Sequence, residues 1–164
     1  MMKVIALKGD LTEQLISQLR EALLDRTDIE LRIDSPGGSK ELKDEALSIM
    51  EKITDDEFTI TGVVMGEASS SAFMMLQCCT IRKALPSATL MFHPLQVSVP
   101  QGVYVMGGET AADPYEPEYL AFLGELSART NLPEDTLWRW GSDERIFTAE
   151  EALQHHFIDE IVRP

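Results

Sequence analysis

The sequence predicts an α/β fold built on a parallel sheet, and three observations carry that reading. A strand, a helix and a second strand fit within about thirty residues at the start of the chain, which is a βαβ unit with parallel pairing and a right-handed crossover. Strand and helix then alternate again through residue 79. Finally, two successive strands end in Gly-rich or Ser-rich turns. In a parallel sheet those turns fall on one edge, the carboxyl edge at which α/β sheets place their sites.

Each element has its own signal. Lys3 to Leu7 is a short strand, and Gly9-Asp10 a turn. Thr12 can cap a helix carrying Leu15, Ile16, Leu19, Leu23 and Leu24 on one face. Ile29 to Ile33 alternates apolar and polar residues as a strand does. After Asp34-Ser35-Pro36-Gly37-Gly38-Ser39 comes a helix with Leu42, Ala46, Ile49, Met50 and Ile53 inside, and Lys40, Glu41, Lys43, Asp44 and Glu45 outside. The β-branched run Phe58 to Val64 is a buried strand, and Ala72 to Cys79 a buried helix. Thr80 to Ala84 and Ala88 to Phe92 are short strands; the second ends at His93-Pro94. Residues 95–114 form an extended excursion rich in Gly, Pro and β-formers. Glu116 to Thr130 is a helix with Tyr119, Leu120, Leu123 and Leu126 on one face. Pro133 opens a short helix bearing Leu137, Trp138 and Trp140, which are packing or interface residues. Thr148-Ala149-Glu150-Glu151 is a capping box for a last helix, and Ile158 to Val162 a closing strand.

Composition narrows the function. At 164 residues the chain suits a single domain, 1–164, burying roughly 70% of its unfolded surface. Fourteen basic against 28 acidic residues give a formal charge of −14, a field that repels phosphate backbones, so no nucleic-acid partner is expected. No apolar run reaches the roughly 20 residues needed to cross a bilayer, and the start is too short for a signal peptide, so no membrane partner is expected. Cys78 and Cys79, neighbours within a helix, read as buried thiols in a reducing, cytoplasmic setting. No metal site is expected, since His155-His156 has no ligand set nearby, and no cofactor is implied.

The chemistry centres on Gly66-Glu67-Ala68-Ser69-Ser70-Ser71-Ala72-Phe73. A strand turning sharply into a helix presents a serine where free backbone N–H groups could catch an oxyanion. The same small residues could instead form a turn whose hydroxyls cap the helix.

With Ser-Pro-Gly-Gly-Ser, Gly-Glu-Ala-Ser-Ser-Ser-Ala-Phe and a later Phe-His-Pro in this order, the chain resembles the Clp protease proteolytic subunit (ClpP) family. The likeness extends to Ala84-Leu85-Pro86-Ser87 and to the box from Phe147 to Asp159, and runs from about residue 3 to the end. It implies the ClpP/crotonase-like fold of repeated ββα-type units with a protruding handle, here about residues 95–130. It also implies a serine endopeptidase acting on peptides or unfolded proteins inside a homo-oligomeric ring or double ring. Carried over residue by residue, the nucleophile is Ser70, the base His93 and the acid Glu144, with Asp143 beside it as the alternative acid. The oxyanion donors are the amides of Gly38 and Ser71, and Gly37 and Ser39 lie on the substrate-binding strand. The phage head-maturation proteases of the same superfamily share the short spacing of 23 positions between Ser70 and His93.

The sequence departs from the family pattern at several places. Glu144 replaces Asp, and only the motif register selects Ser70 over Ser69 and Ser71. Pro94 follows His93 directly, and Phe157 stands where the family has Gly. Family members place a segment before the first strand to engage an ATPase; none is expected ahead of the strand at Lys3 here, so an ATPase partner is doubtful. The alternatives are an inactive ring subunit or scaffold of this fold and, with less support, a crotonase-type acyl-CoA enzyme, for which no basic cluster offers to hold the CoA phosphates.

Overall fold

The computed structural model describes residues 2–94 and 116–163. Residues 95–115, which hold the strand part of the expected handle, lie outside the described residues.

The chain opens with β1 (Met2–Lys8), α1 (Glu13–Asp25) and β2 (Asp28–Ser35). β1 and β2 pair in parallel, with Ile5 opposite Leu31, as the βαβ reading requires. Thr12 caps α1 by accepting from the Leu15 amide at 3.2 Å. Leu15, Ile16, Leu19 and Ala22 form its buried stripe. Leu24 does not belong to it: at 81% exposed it faces solvent, because successive residues on a helix are about 100° apart and Leu23 already marks the stripe's margin.

Next come α2 (Lys40–Asp55), β3 (Ile60–Ser69) and α3 (Ser71–Gln77). Ala46, Ile49, Met50 and Ile53 of α2 are buried as expected. Lys43 is a correction: expected on the outer face, it is fully buried, its ammonium held by Asp44 at 2.7 Å and by Glu118 at 3.3 Å. Two carboxylates supply the compensation that a buried ammonium requires.

β3 runs longer than its β-branched core. Its first half pairs with β2 and with β4 (Ile81–Ala84); its second half, Glu67 to Ser69, pairs in parallel with β5 (Thr89–Met91). The predicted turn at Gly66 is therefore strand, stabilised by a partner some twenty positions away that local propensity does not register.

Beyond residue 115 stand α4 (Glu116–Thr130), α5 (Glu134–Ser142), β6 (Phe147–Thr148), α6 (Ala149–Gln154) and β7 (Glu160–Ile161). Tyr119, Leu123 and Leu126 bury one face of α4, while Leu120, expected with them, is 44% exposed. The capping box at Thr148 is complete: Glu151 N–H donates to the threonine oxygen, and Thr148 N–H to the Glu151 carboxylate. β6, too short for any periodic signal, pairs antiparallel with β5.

Among the described residues the sheet has seven strands and runs β1-β2-β3-β4-β7, with β5 on the upper half of β3 and β6 beyond it. Phe73, Phe92, Phe147 and Phe157 form one aromatic cluster, with Trp140 against Phe147 at 5.4 Å. Phe157 thus makes its departure from the family pattern a core contact. Cys79 is buried, but Cys78, expected to be buried with it, is exposed because it lies past the end of α3 on the outward side.

Candidate active site

Ser70 sits between the end of β3 and the first residue of α3, with φ 57° and ψ −123°. An L-residue adopts that conformation at a cost on the order of 1–3 kcal/mol, and such outliers persist where their surroundings overdetermine them. Strained strand-to-helix turns of this kind hold nucleophiles clear of the backbone. Here the Ser70 amide donates to Met91 O at 2.9 Å, which ties the turn to the end of β5.

The three consecutive serines divide their work. Ser69 Oγ donates to Glu67 Oε2 at 3.0 Å, and Ser71 Oγ to Gly38 O at 3.4 Å. Ser70 makes no side-chain cap to α3, although it occupies the N-cap position. The sequence left open whether this hydroxyl serves as a cap, and the geometry decides against it.

Gly37 and Gly38 run alongside this turn with φ 108° and 148°, backbone that a side chain disfavours. A Cβ on Gly37 would lie 3.0 Å from Ser70 Cβ and 3.1 Å from Ser71 N. The strand is held from below, where Leu11 N–H donates to Gly37 O at 3.1 Å and Gly37 N–H to Ser35 Oγ at 3.1 Å. Ser39 is spent on the next helix: its Oγ accepts from Leu42 N–H at 3.3 Å and contacts Glu41 at 3.0 Å.

Asp34 is a part that the sequence reading missed. β2 and β3 lose register between Ile33 and Ser35, where β3 contains extra residues. Asp34 Oδ1 accepts the Glu67 amide at 3.1 Å, and its carboxylate fills the space over Gly66 where a Cβ would clash. It was legible only as the first residue of the Asp-Ser-Pro-Gly-Gly-Ser stretch.

His93 follows Met91 by two residues, so the rung that pairs Ser69 with Met91 brings both segments to the same sheet edge. Among the described residues its buried Nδ1 has no hydrogen-bond partner, and it lies 3.8 Å from Glu144 Oε1. That distance exceeds a hydrogen bond but is within ion-pair range, and such contacts are often long before substrate binds. Glu144 has φ 51° and an exposed side chain. Asp143 caps the end of α5 through its own amide to Arg139 O at 3.0 Å, and among the described residues the carboxylate within ion-pair distance of His93 is that of Glu144.

The family model for Clp protease matches residues 3–164 of this chain. The chain belongs to the Clp protease family. Curated relatives include ATP-dependent Clp protease proteolytic subunit 1 of Streptomyces avermitilis, 33% identical over 144 residues, covering 84% of this chain and 62% of the relative. Subunit 3 of Streptomyces coelicolor is 32% identical over 145 residues, with 84% and 62% covered. Subunit 2 of Thermobifida fusca is 34% identical over 137 residues, with 82% and 65% covered. The chain thus spans about three fifths of the length of these Clp protease relatives. The mixed α/β architecture and mostly parallel sheet agree with the fold expected of a Clp protease. Among the described residues, no helix is long and apolar enough to cross a membrane.

Proposed function

We propose that this chain is a ClpP-type serine endopeptidase that cleaves peptides or unfolded proteins. Ser70 is the nucleophile, His93 its general base and Glu144 the acid that orients the imidazole. The single observation that carries this reading is the state of the three serines: the flanking hydroxyls are bonded, while Ser70 stands on a strained turn and its hydroxyl makes no hydrogen bond among the described residues.

The chemistry follows from those placements. The His93 imidazole takes the Ser70 proton as Oγ attacks the scissile carbonyl, and Glu144 stabilises the resulting imidazolium. The amides of Gly38 and Ser71 receive the oxyanion; losing one such donor typically lowers the rate by about 10²–10³. An extended peptide lies beside Gly37 and Gly38 and pairs with their backbone, which gives loose sequence preference. The relatives are ATP-dependent Clp protease proteolytic subunits, which supports a proteolytic reading for this chain. For this chain we assign a homo-oligomeric ring chamber, a single domain spanning 1–164 and residues 95–130 as the handle.

The test is intact-mass analysis after exposure to a fluorophosphonate probe. One adduct on the wild type and none on Ser70→Ala supports the assignment. The 3.8 Å gap between His93 and Glu144 favours a second reading, an inactive ring subunit. Absence of an adduct on folded, assembled wild type selects that second reading.

A further inference from the structure

Glu144 has little to hold it. Its side chain is 57% exposed, its backbone is left-handed, and its described side-chain contact is the long one to His93. A carboxylate so placed takes its position from its neighbours in the chain. On one side the Glu144 amide donates to Gly141 O at 3.1 Å, at the end of α5. On the other side stands Arg145, which is fixed at several points. Its amide donates to Trp140 O at 3.0 Å. Its guanidinium carbon lies 4.7 Å from the Trp140 ring centroid and 4.7 Å from that of Phe147. Its Nη2 donates to Glu151 Oε2 at 3.0 Å.

Each anchor belongs to a different element. Trp140 is on α5, Phe147 on β6 and Glu151 on α6. Glu151 is itself immobilised, because its other oxygen accepts the Thr148 amide in the capping box. β6 pairs with β5, the strand that leads to His93. Arg145 therefore ties the loop that carries Glu144 to β6, the strand paired with the one that leads to His93.

Building on the triad reading above, we propose that Arg145 is the positioning residue for Glu144. It sets where the acid's carboxylate stands relative to His93 without touching substrate. The planar guanidinium suits the task, since it stacks on both aromatic rings while giving a directed hydrogen bond to Glu151; a lysine ammonium cannot do both. The titratable groups around it are Glu144 beside it on its own loop, Glu151 on α6 and His155 just after α6.

The test compares the rate of fluorophosphonate labelling of Ser70, across pH, in wild type, Arg145→Met, Arg145→Lys, Glu144→Gln and the double variant Glu144→Gln/Arg145→Met. Misplacing a catalytic group by about 1 Å can cost on the order of 10²-fold, so Arg145→Met is expected to label about 10–10²-fold more slowly. Its pH profile is expected to change shape in the same way as that of Glu144→Gln. The double variant should label no more slowly than Glu144→Gln alone, because both changes remove one function. Arg145→Lys, which keeps the partner for Glu151, should recover part of the rate and guards against a fold lost in the methionine variant. The proposal is overturned if Arg145→Met slows labelling equally in both backgrounds, or lowers only the melting temperature and leaves the rate and profile unchanged. If wild type itself carries no adduct on Ser70, the triad reading fails and this inference with it. If wild type labels and Glu144→Gln matters but Arg145→Met does not, this inference alone fails.

Discussion

Gly37 and Ser70 approach so closely that a Cβ on the glycine would stand 3.0 Å from the serine Cβ. The same atom would press on the Ser69 carbonyl oxygen at 3.0 Å and on the Ser71 amide nitrogen at 3.1 Å. The backbone of the Gly37-Gly38 segment and the Ser70 turn are therefore fitted closely to each other.

Gly37→Ala is expected to fold, with a loss of about 1–3 kcal/mol from the φ of 108° and the displaced turn. Its labelling at Ser70 should fall far more than its stability, by about 10²-fold. Thermal melts alongside labelling rates check this; a variant that labels like wild type would mean that the strand does not shape the site.

The choice between the two candidate acids has a direct test. Glu144→Gln should slow peptide cleavage by several orders of magnitude, as loss of the orienting carboxylate does in a serine triad, by up to about 10⁴. Asp143→Asn should leave the rate within about threefold, because that residue ends α5 rather than facing His93. The reverse ranking in steady-state kinetics would reassign the acid.

Much of this architecture was legible in the residues. The two turns at the sheet edge, the caps at Thr12 and Thr148 and the buried faces of α1 and α2 follow from local pattern, because capping and amphipathicity are local physics. What escaped depends on distant partners. The upper half of β3 is strand because β5 lies beside it, and Asp34 matters because β2 and β3 lose register there. Lys43 looked like a surface residue because its second carboxylate, Glu118, comes from 75 positions further along the chain. The Glu144 proposal rests on family likeness and not on any pattern of its own.

Lys43 gives a prediction of opposite signs. Lys43→Met preserves most of the volume and leaves Asp44 and Glu118 with Lys40 and solvent, so it should change stability by less than about 1.5 kcal/mol. Removing both carboxylates in Asp44→Ala/Glu118→Ala leaves an uncompensated buried ammonium and should cost about 3–5 kcal/mol. Urea titrations of the two variants decide the matter, and equal losses would argue against it.

The same cluster makes stability depend on acid. Burial pushes the Asp44 carboxyl up, but hydrogen bonds from Lys40 and Lys43 outweigh it and hold the group below the usual aspartate range. A carboxyl depressed on folding contributes stability that is fully present above its unfolded value of about 3.9 and lost as pH falls through the lower folded value. Wild type should therefore lose more stability than Asp44→Asn between neutral pH and pH values below that unfolded value. Denaturant midpoints measured across this range would show parallel curves if the idea is wrong.

The rung that ties the Ser70 amide to Met91 O has a consequence for ageing of the molecule on heating. Ser70 and His93, the proposed nucleophile and base, are tied through the sheet edge, so their alignment should endure until the sheet melts cooperatively. Glu144, the proposed acid, is held differently, on an exposed bend outside that ladder. Warming should first yield a species with an intact scaffold and an unguided imidazole, before any strand is lost. In such a molecule activity fades well below the unfolding temperature and returns on cooling.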